Sequence, residues 1–215
     1  ENKPAGQEIL LATATDTDSG LNGSIIYQLH SDVQLKYPNT FSMNSNNGKL
    51  TTQKMLDREK VSFYEIKIIA KDQGLQPLSS TATVYLRIHD QNDEKPVFYP
   101  KNYYVNFEET NPAKSTVVQV TAVDKDYGLN AKLTYRFTTN YPAFSIESDT
   151  GIISTTQTLQ KSVQSKYTLQ VTASDPDPSH VSVNTATVEI TVVNSNDVVP
   201  TFENLPYSFS ITEDS

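Results

Sequence analysis

Ala14-Thr-Asp16-Thr-Asp18-Ser-Gly-Leu-Asn22-Gly is written a second time, with substitutions, as Ala122-Val-Asp124-Lys-Asp126-Tyr-Gly-Leu-Asn130-Ala. Alternating aspartates followed by a glycine and an asparagine gather oxygen atoms on one turn, the donor set a hard cation such as calcium takes. The two stretches stand roughly a hundred residues apart, too far for a solenoid unit and about right for one domain.

The repetition continues outward from these turns. Glu1-Asn-Lys-Pro returns as Glu109-Thr-Asn-Pro, and Asn47-Gly-Lys-Leu50 as Thr150-Gly-Ile-Ile153. Ala70-Lys-Asp72 returns as Ala173-Ser-Asp175, and Asp90-Gln-Asn-Asp-Glu-Lys-Pro96 as Asn194-Ser-Asn-Asp-Val-Val-Pro200. Glu213-Asp-Ser215, just after Pro200-Thr-Phe202, reads as the opening of a third copy. The expected organisation is a first repeat over 1–95 with its first strand truncated, a second over 96–199, and the start of a third over 200–215, cut from a longer array.

Between the acidic turns the runs read as strands: Glu8–Ala14, Ser24–Leu29, Tyr64–Ala70 and Ala82–Ile88, then Val117–Ala122, Leu133–Phe137, Lys166–Ala173 and Ala186–Val192. Tyr64-Glu-Ile-Lys-Ile-Ile and Thr187-Val-Glu-Ile-Thr-Val alternate with period two and are rich in β-branched and aromatic residues. Helical periodicity is nearly absent. Several short strands per hundred residues, separated by Gly, Asn, Asp and Pro clusters, predict an all-β chain of tandem β-sandwiches. With no tryptophan and no cysteine pair, a disulfide-bonded immunoglobulin domain is disfavoured.

Composition narrows the function. Apolar residues at 36% and charged residues at 20% fit a soluble folded chain. The formal charge of −8 sits in carboxylates at fixed places, so nucleic acid, which needs Lys and Arg clusters, is not the expected partner. No apolar run reaches the length of a membrane span, and any span or signal segment is expected outside the fragment. Zero cysteines remove disulfides and thiolate chemistry and lean towards a reducing compartment. The calcium ligands outweigh that lean, because sites of modest affinity fill only outside the cell. His30, His89 and His180 are isolated and read as surface or packing residues. No Ser–His–Asp arrangement is legible, and no enzyme activity or small-molecule substrate is expected. A carboxylate-based hydrolase would need two carboxylates set apart in pKa across a cleft, whereas the clustered ones here all fit ligand roles.

Glu1-Asn-Lys-Pro, Asp16-Thr-Asp18-Ser-Gly-Leu-Asn22-Gly, Leu56-Asp-Arg-Glu59, Ala70-Lys-Asp72 and Asp90-Gln-Asn-Asp-Glu-Lys-Pro96 together resemble the extracellular cadherin repeat, in the family's order and spacing over essentially both halves. The resemblance implies seven-stranded Greek-key sandwiches joined end to end, with about three calcium ions at a complete junction. Carried over, the metal set is Glu1, Asp57 and Glu59 from the first repeat, Asn92 and Asp93 by side chain, and Gln91 and Glu94 by backbone carbonyl. The second repeat adds Asp124, Asp126 and Asp175, with Asn130 through its carbonyl. Glu94 stands where the family usually has asparagine, a change a carbonyl ligand would tolerate. Asp16, Asp18, Asn22 and Asp72 form the matching half-site, which lacks its upstream repeat. Asn22-Gly-Ser24 is a formal glycosylation sequon expected to stay unoccupied beside the calcium turn.

The second junction departs from the pattern. Leu56-Asp57-Arg58-Glu59 becomes Leu159-Gln160-Lys161-Ser162, and Asp90 becomes Asn194, while Glu109, Asn196 and Asp197 remain. Few ions or none are expected there. The implied function is a calcium-dependent adhesion or tethering segment on the extracellular side of the plasma membrane, its partner another cadherin ectodomain by homophilic or heterophilic contact. Two other readings stay open: a secreted or microbial calcium-binding adhesin module, and a non-adhesive spacer with a bent second junction. Strand exchange through an amino-terminal tryptophan cannot operate from within a chain that has none.

Overall fold

In a computed structural model, residues 1–175, 184–195 and 200–201 are described. The expected site residues Asn196 and Asp197, and nearly all of the expected third copy, lie outside them. The described residues fall into two compact units. The first holds Glu1–Val97 and Val123–Leu133 with Ser174 and Asp175, and the second holds Phe98–Ala122, Thr134–Ala173 and the strand from Asn184 on. The acidic loops of the second sequence copy therefore cluster with the first unit.

In the first unit the strands are β1 (Glu8–Leu11), β2 (Ile25–Leu29), β3 (Phe41–Met43), β4 (Lys49–Thr52), β5 (Phe63–Asp72) and β6 (Ser79–Arg87). They form two antiparallel sheets, β1-β4-β3 and β2-β5-β6. Tyr64, Ile66 and Ile68 alternate inward from β5 and meet Val33, Phe41, Leu50, Leu56 and Ile88 in the core. Ile66 and Leu50 are wholly buried, which makes them the centre of the apolar stabilisation. Phe41 packs edge-on to Tyr64 at 5.1 Å between centroids. A short helix, α1 (Ser31–Lys36), crosses between β2 and β3, and His30 Nδ1 caps it by accepting from Asp32 N at 3.2 Å. This gives His30 the structural role its isolation suggests.

The remaining strands are β7 (Val97–Phe98), β8 (Asn102–Glu108), β9 (Thr116–Gln119), β10 (Ala122–Val123), β11 (Thr134–Phe137), β12 (Phe144–Ile146), β13 (Ile152–Thr155), β14 (Lys166–Ser174) and β15 (Asn184–Val193). They form the sheets β11-β14-β15-β8 and β12-β13-β9, with β7 paired to β10. β8 runs parallel to β15, from Thr187 opposite Asn102 to Val193 opposite Glu108. Leu169, Val171, Val188 and Ile190 bury one face of this sheet completely.

The first predicted strand, Glu8–Ala14, leaves its ladder at Leu11. Ala12 N donates to Gly48 O and Ala14 N to the Tyr27 hydroxyl, so these amides are satisfied outside a sheet. Gly48 sits at φ +71, and a Cβ on it would lie 2.2 Å from Ala12 O. On its counterpart Gly151, at φ +70, an added Cβ would lie 2.4 Å from Val120 O. Glycine is thus required at both hairpins by backbone conformation and by contact together.

Candidate metal centre

The acidic turns are built alike in both copies. Asp18 N donates to Asp16 Oδ1, and Asp126 N to Asp124 Oδ1, each at 2.9 Å. These Asx turns present the remaining aspartate oxygens on one side. A tyrosine hydroxyl fixes the strand leading into each turn: Ala14 N reaches Tyr27 at 2.9 Å and Ala122 N reaches Tyr135 at 3.0 Å. Burial separates the copies. Asp16 and Asp18 are exposed, whereas Asp126 is only 6% exposed.

Around Asp124 and Asp126 the first unit gathers most of the predicted ligands. Glu1 accepts from Arg58 N and Gln91 N, both at 2.7 Å, which ties the residue 57–59 loop to the segment after β6. Carboxylate oxygens of Glu1, Asp57 and Glu59 lie within 4.8 Å of one another. So do those of Glu59, Asp90 and Asp126. Glu94 N donates to Asp126 Oδ1 at 3.3 Å, Asn2 Nδ2 donates to Asp93 Oδ2 at 2.6 Å, and Asp175 is buried.

This crowding is costly without a cation. Burial, reinforced by Glu1, raises the Glu59 carboxyl to about 7. Burial and the neighbouring Asp124 raise Asp126 to about 6, and burial raises Asp124 as well. Asp57 goes the other way, because Lys60 bonds to it and lowers its pKa. Asp124 Oδ2, Asp126 Oδ2 and Asn92 Oδ1 are buried with no hydrogen-bond donor. Buried acceptors are ordinarily satisfied, so oxygens of this kind converging on raised carboxyls fit a cation of the calcium type.

The predicted half-site is arranged differently. Asp72 Oδ1 accepts from Gly74 N at 2.7 Å and its Oδ2 from Leu78 N at 2.5 Å, so its own loop uses both oxygens. Asp72 lines one hollow with Asp18 and Asn22, and Asp16 lines another beside it. At the second junction Glu109 Oε2 accepts from Lys161 N at 3.1 Å, the counterpart of the bond from Arg58 N to Glu1. Gln160 and Ser162 bring no carboxylate to it.

Asp90 is absent from the predicted ligand set, yet it lies inside the cluster. Its Oδ1 accepts from Tyr127 N at 3.0 Å and its Oδ2 from Asn130 Nδ2 at 2.8 Å. Arg58 pairs with both Asp90 and Glu59 and donates to Lys125 O at 2.8 Å. The sequence holds one signal for this pair: Asp90 and Arg58 change together, to Asn194 and Lys161.

A family model described as the cadherin domain matches residues 1–89 and 103–193. Protocadherin Fat 4 of Mus musculus is 38% identical over 217 residues, which cover 99% of this chain and 4% of that protein. Cadherin-23 of the same organism is 36% identical over 218 residues, covering 100% of this chain and 6% of that protein. The chain thus spans a small fraction of these relatives. Among solved structures, the protocadherin gammaB7 EC3-6 cis-dimer superposes with a TM-score of 0.81 at 29% identity, covering 94% of this chain and 51% of that one.

Proposed function

The chain belongs to the cadherin family, whose repeats are Greek-key β-sandwiches that generally bind calcium at their junctions, and from that premise we propose that its acidic cluster is a calcium joint in a cell-surface adhesion ectodomain. Glu1, Asp57, Glu59, Asp93, Asp124, Asp126 and Asp175 hold the metal by carboxylate and Asn92 by its amide oxygen. Gln91, Glu94 and Asn130 lend backbone carbonyls. At six to eight oxygens per ion, with carboxylates shared, this set serves about three ions. The observation that carries the reading is the pair of buried, donor-less oxygens on Asp124 and Asp126 beside carboxyls forced towards neutrality. Calcium supplies the positive charge that lets those carboxyls ionise together, and so converts a repelling cluster into a stiff connection.

The second junction is calcium-poor. Gln160, Lys161, Ser162 and Asn194 supply one cation and no carboxylate where the first junction has Asp57, Glu59 and Asp90. The segment acts on the extracellular side of the plasma membrane, and its partner is another cadherin ectodomain. The similarity to protocadherin gammaB7, solved as a cis-dimer, supports that class of partner.

The test is a calorimetric calcium titration of the chain, with a melting curve at zero and saturating metal. About three ions and a stabilisation of a few kcal/mol are expected from ligand linkage. No heat and no change in melting temperature would refute the reading.

A further inference from the structure

Asn47-Gly48 lies in the turn between β3 and β4, and the chain holds one other Asn-Gly pair, Asn22-Gly23. Asn47 is exposed to water, whereas Gly48 is buried. A glycine sets no side chain in the way of its own amide nitrogen, and that nitrogen can close a five-membered ring on Cγ of the asparagine before it. In the folded turn both reacting groups are engaged. Gly48 N donates to Asn44 O at 3.0 Å, and Asn47 Oδ1 accepts from Lys49 N at 3.0 Å. Asn47 N donates to Asn44 Oδ1 at 3.2 Å, which fixes the residue from its other side. The second copy builds the same turn without the amide. There Gly151 N donates to Glu147 O at 3.0 Å, and Thr150 Oγ1 accepts from Ile152 N at 3.3 Å. A hydroxyl offers no carbonyl carbon for a backbone nitrogen to attack.

We propose that Asn47 is a deamidation site that the folded hairpin holds shut and that opens when β3 and β4 part, so that the first copy keeps a chemical record of its own unfolding. In the open chain Gly48 N gives its proton to hydroxide and attacks Asn47 Cγ. The N–Cγ bond forms, the Cγ–Nδ2 bond breaks, ammonia leaves with a proton from water, and a succinimide remains. Water opens that ring at either carbonyl, giving aspartate or isoaspartate. The two products meet the fold differently. Aspartate keeps an oxygen for Lys49 N. Isoaspartate adds one atom to the backbone just before Gly48, where even a Cβ would lie 2.2 Å from Ala12 O. The added length also works against the register that sets the wholly buried Leu50 opposite Met43. Isoaspartate therefore bars the return to the native hairpin and makes the unfolding event irreversible. The second copy, with Thr150, keeps no such record.

The experiment ages the whole chain, folded in buffer and unfolded in guanidinium chloride, at one pH and temperature. Peptide mapping by mass spectrometry follows the mass gain and the isoaspartate content at residue 47, apart from those at Asn22. The parent, Asn47→Thr and Asn47→Asp are compared. Conversion at Asn47 should run at least about tenfold slower in the folded chain, because it waits for the hairpin to open. Asn47→Thr should gain no mass at this position in either state and should regain its starting melting temperature after return to buffer. Asn47→Asp should melt with the unaged parent, and chains carrying isoaspartate at 47 should melt below it. Equal rates in the folded and unfolded chain, or no conversion in the unfolded chain, overturn the site. Isoaspartate chains that regain the parent melting temperature overturn the record.

Discussion

Acidification should move metal-free stability and calcium affinity in opposite directions. Glu59 is held at about 7 by burial and Glu1, and Asp126 at about 6 by burial and Asp124, with Asp90 and Asp93 also facing it. Unfolded, these groups return to 4.5 and 3.8. Folded pKa values above the unfolded ones mean that the native state binds more protons in this window. The stability they contribute is complete below about pH 4 and is lost as pH rises through about 7. In EDTA the chain should therefore lose about 4 kcal/mol between about pH 5 and pH 8. Calcium must displace the same protons. From about pH 7.5 to 5.5, competition at Glu59 weakens apparent affinity about 25-fold and at Asp126 about fourfold, on the order of 100-fold together. Calorimetric titrations near pH 6.5 in two buffers of different ionisation enthalpy count the protons released, and about one per chain in total is expected, most of it from Glu59. An affinity flat from pH 5.5 to 7.5 with no proton release would refute the argument that these carboxyls are strained by proximity and relieved by metal.

Other substitutions separate the site from the scaffold. Asp126→Ala should abolish most calcium-dependent stabilisation, read as the loss of the calcium-induced rise in melting temperature. Gly151→Ala places a Cβ 2.4 Å from Val120 O at φ +70 and should cost at least about 2 kcal/mol in urea unfolding while leaving calcium stoichiometry intact. Tyr135→Phe strips the buried Ala122 N of its acceptor, and a loss of about 1 to 3 kcal/mol is expected from the same measurement.

The period-two alternation of Tyr64, Ile66 and Ile68 is legible because β5 buries one face only, and the chain alternates to match. β4, Lys49–Thr52, is hidden because it follows an Asn-Gly turn signal and is only four residues long. β8, Asn102–Glu108, is hidden for another reason. Its asparagines dilute the pattern, and its partner β15 is a parallel strand from the far end of the copy. At the metal centre, repeated spacing brings out the aspartates, because coordination needs oxygens at regular positions. It cannot tell Asp93, which reaches Asn2, from Asp90, which reaches Tyr127 and Asn130. That distinction depends on what comes close in three dimensions.

The parallel ladder between β8 and β15 joins a strand near the start of the second copy to one near its end, and so decides how that copy carries tension. A pull on the start of β8 and the finish of β15 drives two parallel strands lengthwise past each other. Every rung from Asn102–Thr187 to Glu108–Val193 is loaded at once, where an antiparallel hairpin would open one rung at a time. Rupture under force follows the unfolding rate rather than the equilibrium free energy. When the chain is pulled from its two ends, the durability of this copy lies in the direction of a single strand.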